Sequence, residues 1–233
     1  MNIRCSFMRP QGRLTASRAG QSMTEFIIVW PTILLLTLGS LQMGLIYWAK
    51  ATVNLAAFQA ARAGSLENAS VSAMEEEFYR SLSPLYTVDA TPAAVKSAYE
   101  KISKEATDGY IKLERISPAS GDFAAYADAA LGYAIPNDNL MFRSTMVKAG
   151  SQVNIQDANL LKVKVTYGYK LLVPLIKTVI IKILKTGMMP RQYGAEEKVK
   201  DPETDPFLLN LYGAGRVPIV AYATVRMQTP AKP

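Results

Sequence analysis

The sequence predicts an α+β protein in which a long N-terminal helix crosses a membrane and extends into an outer domain. Two observations predict this organisation. Residues Phe26–Trp48 form a run of 23 residues without a charge; a helix of that length measures about 35 Å, and the bilayer core measures about 30 Å. Further along, apolar residues occupy every second position of Leu161–Tyr169 and Val217–Met227, as is typical of β-strands. We therefore expect a basic leader at 1–20, a transmembrane and extended helix at 21–64, and an outer domain at 65–233 with two or three helices and an antiparallel sheet of at least three strands.

Residues 1–20 form a basic leader. It contains no acidic residue, it holds the chain's single cysteine, Cys5, and its arginines are Arg4, Arg9, Arg13 and Arg18. Because basic flanks stay on the cytoplasmic side, we expect the N-terminus inside and the residues after Trp48 outside. Without the leader, the chain has 22 basic and 19 acidic residues, which gives a formal charge of +3. The basic balance therefore does not indicate a nucleic-acid partner.

Histidine is absent from the whole chain. Its absence excludes Ser-His-Asp and Cys-His catalysis and, with one cysteine, a structural zinc site. The spacing Asp201-x-Glu203-x-Asp205 is similar to the start of a calcium loop, but Pro206 and Tyr212 stand where such a loop needs Gly and Glu. We predict no catalytic residue, no metal site and no cofactor.

Helical character continues beyond the membrane segment. Residues 49–63 contain neither Pro nor Gly, and an apolar stripe of small residues recurs there at helical spacing: Val53, Ala56, Ala57, Ala60 and Ala61. Gly64 is the expected C-terminal stop of this helix.

The outer domain begins with two short helices. Ser72 followed by Glu75 has the spacing of a capping box, which predicts a helix that ends before Pro84. Thr91-Pro92 predicts a second helix that ends before Gly109. Tyr110–Ile116 then alternates as a strand, and the segment Ser117–Gly150 receives no assignment.

A lysine-bearing apolar stretch follows the central strand. After Pro174, apolar residues repeat at helical spacing up to Leu184, with Lys177, Lys182 and Lys185 on the opposite side. The stretch is too short and too charged for a second span, so we expect it to pack on the sheet. The alternative is that it lies on a membrane surface, since lysines suit anionic headgroups. Arg191–Pro206 is charged and predicts an exposed loop.

One acidic residue, Glu25, stands directly before the apolar run. In the simplest interpretation it marks the start of a signal anchor, where a carboxylate in the first helical turn gains about 0.3–1 kcal/mol from the helix dipole. In the functional interpretation the chain is cut after Gly20, and the new α-amino group of Gln21 pairs with Glu25 of the same or a neighbouring subunit. An unpaired charge is costly in a membrane, which favours such pairing.

Three motifs resemble the TadE-like pilin family, whose precursors carry a class III prepilin leader. These are Gly20-Gln-Ser-Met-Thr-Glu25-Phe26 with Pro31 six places after the Glu, the step from Gly39 to Gly44, and Ala60-Ala61-Arg62-Ala63-Gly64. The resemblance implies cleavage between Gly20 and Gln21 by a prepilin peptidase. It also implies roles for Glu25 and Phe26 in pilin-helix assembly and charge pairing, for Pro31 as a helix kink, and for Gly39 and Gly44 in packing.

The resemblance further implies a minor pilin or pseudopilin of Tad (Flp-type) pili, with no enzymatic activity. Its expected partners are the peptidase, other pilin subunits, Tad inner-membrane assembly components and the membrane. Its expected location is the bacterial inner membrane, as a single-pass protein with a periplasmic domain, from which it can enter a surface pilus.

Other interpretations are an uncut, signal-anchored envelope protein whose outer domain binds another partner, and a membrane-tethered enzyme. Cleavage by the ordinary signal peptidase at Ala49-Lys50-Ala51 would need an apolar region of 7–15 residues, and the run here is longer.

Overall fold

The computed structural model describes residues 19–185 and 205–233, and these residues form an α+β fold, as predicted. The helices are α1 (Ala19–Leu66), α2 (Val71–Leu82), α3 (Pro92–Thr107), α4 (Ser120–Tyr126), α5 (Ile155–Ala158), α6 (Pro174–Lys185) and α7 (Pro206–Gly213). The strands are β1 (Ile111–Ser117), β2 (Leu160–Lys170) and β3 (Arg216–Arg226). Two compact units, Met1–Ser40 and Leu41–Pro233, divide the chain within α1.

The three strands form one antiparallel sheet in the order β1-β2-β3. On the central strand β2, the alternating residues that the sequence places on one face are all buried: Leu161, Val163, Val165, Tyr167 and Tyr169. The other face is also covered near Gly168. A Cβ atom built there would lie 2.3 Å from Cδ2 of Leu211, so the missing side chain leaves room for α7.

The C-terminal half of α1 packs into the core of the second unit. The predicted stripe from Val53 to Ala61 is fully buried and belongs to the same core cluster as the buried β2 residues. Small alanine side chains permit this close approach between helix and sheet. Lys50 Nζ also donates a hydrogen bond to the carbonyl of Val220 on β3.

The prediction that Gly64 ends the first helix is wrong, because α1 continues to Leu66. The chain leaves the helix only at Asn68 and Ala69, whose φ angles are 56° and 62°. A Cβ atom at Gly64 would lie 2.5 Å from Cγ of Met74. Gly64 is therefore required for close packing inside the helix, and sequence alone does not separate that role from a C-terminal stop.

The capping prediction is correct for α3 and is displaced by two residues for α2. Thr91 Oγ1 accepts a hydrogen bond from Ala94 N at 3.3 Å, and Pro92 is the first helical residue. For α2 the N-cap is Ser70, not Ser72. The chain has already turned at Ala69, so Ser70 reaches the first free backbone N–H groups.

The segment 117–150 contains helix α4 and two 3-10 turns, at Ala129–Leu131 and Leu140–Phe142. Asp122 organises it: its carboxylate accepts from Ala119 N at 2.7 Å and from Ser151 Oγ at 2.6 Å. Three short helices, α4, α5 and α7, were not predicted. The predicted loop Arg191–Pro206 lies outside the described residues except for Asp205 and Pro206, where Asp205 caps α7.

A buried polar cluster, which we define as Tyr86, Glu105, Tyr167 and Arg216, joins α3 to the sheet. Arg216 Nη2 lies 2.8 Å from Glu105 Oε1. Tyr86 donates its hydroxyl proton to Glu105 Oε2 at 2.5 Å, so the hydroxyl of Tyr167 is the donor in its own hydrogen bond with Tyr86.

The charges and hydrogen-bonding groups of the cluster complement one another. Burial, followed by the hydrogen bond to Glu105, raises the pKa of Tyr86, and burial likewise raises the pKa of Tyr167. Burial alone would lower the pKa of Arg216, but the hydrogen bond and charge of Glu105 raise it overall. Arg216 also donates to the carbonyl of Gly168 at 2.8 Å and lies 4.0 Å above the ring centroid of Tyr110. The sequence contains no local signal for this cluster, because its members lie far apart along the chain.

Candidate functional site along the N-terminal helix

The apolar residues of α1 in the first unit face outward. Residues such as Phe26, Ile28 and Leu36 are 61–72% exposed, and only 6% of the most apolar window of the helix is buried. A core helix of a soluble protein would be mostly buried. Among the described residues, α1 is the one helix that is long and apolar enough to cross a membrane.

The predicted maturation residues lie in the first turns of α1. Gly20 and Gln21 have helical backbone, and Glu25 follows Gln21 by four residues, which places the two positions on the same side of the helix. Glu25 is exposed. Phe26 stacks on Trp30 with ring centroids 5.7 Å apart.

The predicted kink and packing residues also lie on α1. Pro31 is inside the helix and has no N–H to offer the carbonyl of Ile27. Gly39 is half-buried and Gly44 is exposed. A Cβ atom at Gly44 would meet nothing within 4 Å, so close packing at Gly44 requires another molecule.

An exposed stripe continues along α1 beyond the apolar run. Its residues alternate at spacings of three and four, as in a coiled-coil seam, and all are exposed: Leu41, Gly44, Trp48, Ala51, Leu55, Phe58 and Arg62. We call this set the outer stripe. Leu55 and Phe58 follow the apolar run, which ends at Trp48, and are 57% and 48% exposed. The sequence pattern predicted the buried stripe from Val53 to Ala61 in this part of α1, but it did not predict the exposed outer stripe.

Gln42 is a second residue that the sequence interpretation missed. It is fully buried, and its Oε1 accepts hydrogen bonds from Leu172 N at 3.2 Å and Val173 N at 2.9 Å. These two residues immediately precede α6, so Gln42 fixes the start of α6 against α1. Its Nε2 is buried without a partner. A lone amide in an otherwise apolar run is the signal that could have identified it.

The described residues offer no group of His, Cys, Asp or Glu side chains that could hold a metal ion. The site is therefore a helix surface with an acidic residue near its start, an exposed apolar stripe and a buried amide. Such a surface is suited to association with lipid and with other helices.

A family model described as TadE-like protein matches residues 20–62. The similarity covers most of helix α1 and less than half of the chain. The match begins at Gly20 and ends at Arg62, so it covers the apolar run and the outer stripe. No curated protein and no solved structure matches this chain. The matched residues lie in α1, the one helix of the described residues that is long and apolar enough to cross a membrane.

Proposed function

We propose that this protein is a minor pilin or pseudopilin that takes part in the biogenesis of Tad (Flp-type) pili after a prepilin peptidase cleaves it between Gly20 and Gln21. The observation that carries the proposal is the TadE-like match, which starts at the residue before the proposed cut. The protein itself performs no catalysis. Its working location is the inner membrane, with the N-terminus in the cytoplasm and the outer domain in the periplasm.

Cleavage would change the charge of the helix start. It removes four arginines and the only cysteine, and it creates an α-amino group on Gln21, four residues before Glu25. An ammonium group and a carboxylate attract strongly in a medium of low dielectric constant. This attraction favours packing of the mature helix beside the helices of other pilin subunits, because the α-amino group of one subunit can pair with Glu25 of its neighbour.

The outer stripe supports an assembly role. Lipid covers the stripe only as far as Trp48, so Leu55 and Phe58 face water in the isolated protein. Exposed apolar residues in a continuous seam are typical of interaction surfaces. A second pilin helix alongside α1 would cover both the membrane part and the outer part of this seam.

Replacing Glu25 with alanine is expected to leave cleavage largely intact and to lower incorporation into the assembled fibre several-fold. The reason is that the mature α-amino group loses its partner. The measurement is the ratio of protein in sheared pili to protein in membranes, by immunoblot. Glu67→Ala, at an exposed position just after α1, is the control, and equal incorporation of both variants would contradict the pairing role.

Replacing both Leu55 and Phe58 with serine is expected to leave the fold intact and to reduce cross-linking to other pilin subunits by about tenfold. Both side chains are exposed, so their loss costs the monomer little, whereas an interface would lose two apolar contacts worth roughly 1 kcal/mol or more each. The matched control is Val88→Ser, at a position that is 90% exposed and away from α1. Unchanged cross-linking would show that the outer stripe is not an assembly surface.

A further inference from the structure

Helix α6 has an exposed face that is apolar and basic. Leu172, just before α6, and Val179, within α6, are 65% and 48% exposed. Ile176 is buried, and Ile180 and Ile181 pack against the core. The segment 170–185 contains four lysines and no acidic residue. Lys182 is exposed, whereas the side chain of Lys177 lies against Gly215. One side of α6 is therefore anchored to the domain, and the other carries Val179 and Lys182.

The hydrogen bonds of Gln42 fix the depth of this helix. Gln42 lies six residues before Trp48, which corresponds to about 9 Å along α1. Because Leu172 N and Val173 N bind Gln42 Oε1, the start of α6 lies at that level. Trp48 ends the apolar run at the position of an interfacial aromatic residue. With Trp48 at the interface, the start of α6 would lie about 9 Å inside it, and helices that lie in a membrane surface bury their apolar face by about 5–10 Å.

We propose that α6 is a second membrane contact, lying in the outer-leaflet interface of the membrane that α1 crosses. Leu172 and Val179 contact acyl chains, and Lys182 contacts anionic phosphate headgroups. The proposal rests on the membrane location of α1 in the proposed function, and it is independent of cleavage and of pilus assembly. A helix held in the interface would set the rotation and height of the outer domain above the bilayer.

Spin labels on single cysteines test this placement in the full chain, reconstituted in vesicles with 30% phosphatidylglycerol. Cys5→Ser supplies the cysteine-free background, and the label sites are Val179→Cys on α6, Leu36→Cys within the apolar run and Val88→Cys in an exposed loop. All three positions are exposed in the protein, so the substitutions do not disturb the core. The readout is the ratio of accessibility to oxygen over accessibility to a water-soluble nickel chelate.

We expect the highest ratio at Leu36, a ratio at Val179 several-fold above that at Val88, and a fall at Val179 of about twofold or more in purely zwitterionic vesicles. If the label at Val179 has the same low ratio as the label at Val88 while the label at Leu36 has a high ratio, the placement of α6 is wrong and the transmembrane placement of α1 is retained. An aqueous Leu36 would overturn both. Equal accessibility ratios at Val179 in the two kinds of vesicle would refute the headgroup contacts. If the mobility of the Val179 label falls as the protein-to-lipid ratio rises, α6 contacts a second copy of the chain and not lipid.

Discussion

Replacing Arg216 with methionine is expected to lower the free energy of unfolding of the outer domain by about 3–5 kcal/mol, because it leaves the Glu105 carboxylate buried without its cation. Glu105 is held at 2.8 Å from the guanidinium and accepts from Tyr86 at 2.5 Å. The carbonyl of Gly168 also loses a donor. Urea unfolding of the full chain in detergent micelles, followed by circular dichroism, measures the change.

Arg80→Met is the matched control for this experiment. Arg80 forms ion pairs with Glu76 and Glu77, at 2.9 and 3.1 Å, but its side chain is 63% exposed. Exposed pairs contribute about 0.2–1 kcal/mol, so a small change is expected although Arg80 forms two ion pairs and Arg216 forms one. Adding Glu105→Gln to Arg216→Met should recover part of the loss, since no buried charge remains. A loss at Arg216 no larger than that at Arg80 would contradict the structural role of the buried polar cluster.

Replacing Gln42 with methionine is expected to release the start of α6 from α1. The backbone N–H groups of Leu172 and Val173 would lose their acceptor. A buried donor without a partner costs about 1–3 kcal/mol, and these two donors are part-buried. The substitution also removes the buried Nε2 that has no partner, so the expected net loss is about 1–2 kcal/mol. Hydrogen exchange of a peptide covering residues 172–185 should accelerate by about tenfold, since 1.4 kcal/mol is a factor of ten.

Gln59→Met provides the comparison for Gln42. Gln59 lies on the same helix, is half-buried and has no hydrogen bond from its side chain in the described part of the chain. Its replacement should leave exchange in residues 172–185 unchanged. Exchange that is equally slow in all three proteins would show that Gln42 does not hold α6.

Elements with local signals could be predicted from the sequence. Thr91-Pro92 identifies the start of α3 because the capping side chain and the helix start are neighbours in the chain. The alternation from Leu161 to Tyr169 identifies the core face of β2 because side chains of a strand point to opposite sides in turn. The apolar run and the alanine stripe of α1 depend on helical spacing in the same way.

Features that depend on contacts between distant residues could not be predicted. Gly64 has the sequence signature of a helix end, but its contact with Met74 is created by the return of α2 against α1. Glu105 and Arg216 are 111 residues apart, and Gln42 meets Leu172 and Val173 across 130 and 131 residues. For the candidate site, the residues of the proposed maturation site could be identified from the sequence. The outer stripe could not, because it depends on which face of α1 the sheet covers.

The most direct test of the proposed function is the identity of the N-terminal residue of the protein purified from membranes, determined by mass spectrometry in cells with and without a prepilin peptidase. A Gly20→Leu variant, altered only at the residue before the cut, is the control and should retain its leader in both strains. The proposal predicts an N-terminus at Gln21 only when the peptidase is present and residue 20 is glycine. A chain that keeps Cys5 and the four leader arginines in peptidase-competent cells would contradict it and would support an uncut, signal-anchored envelope protein.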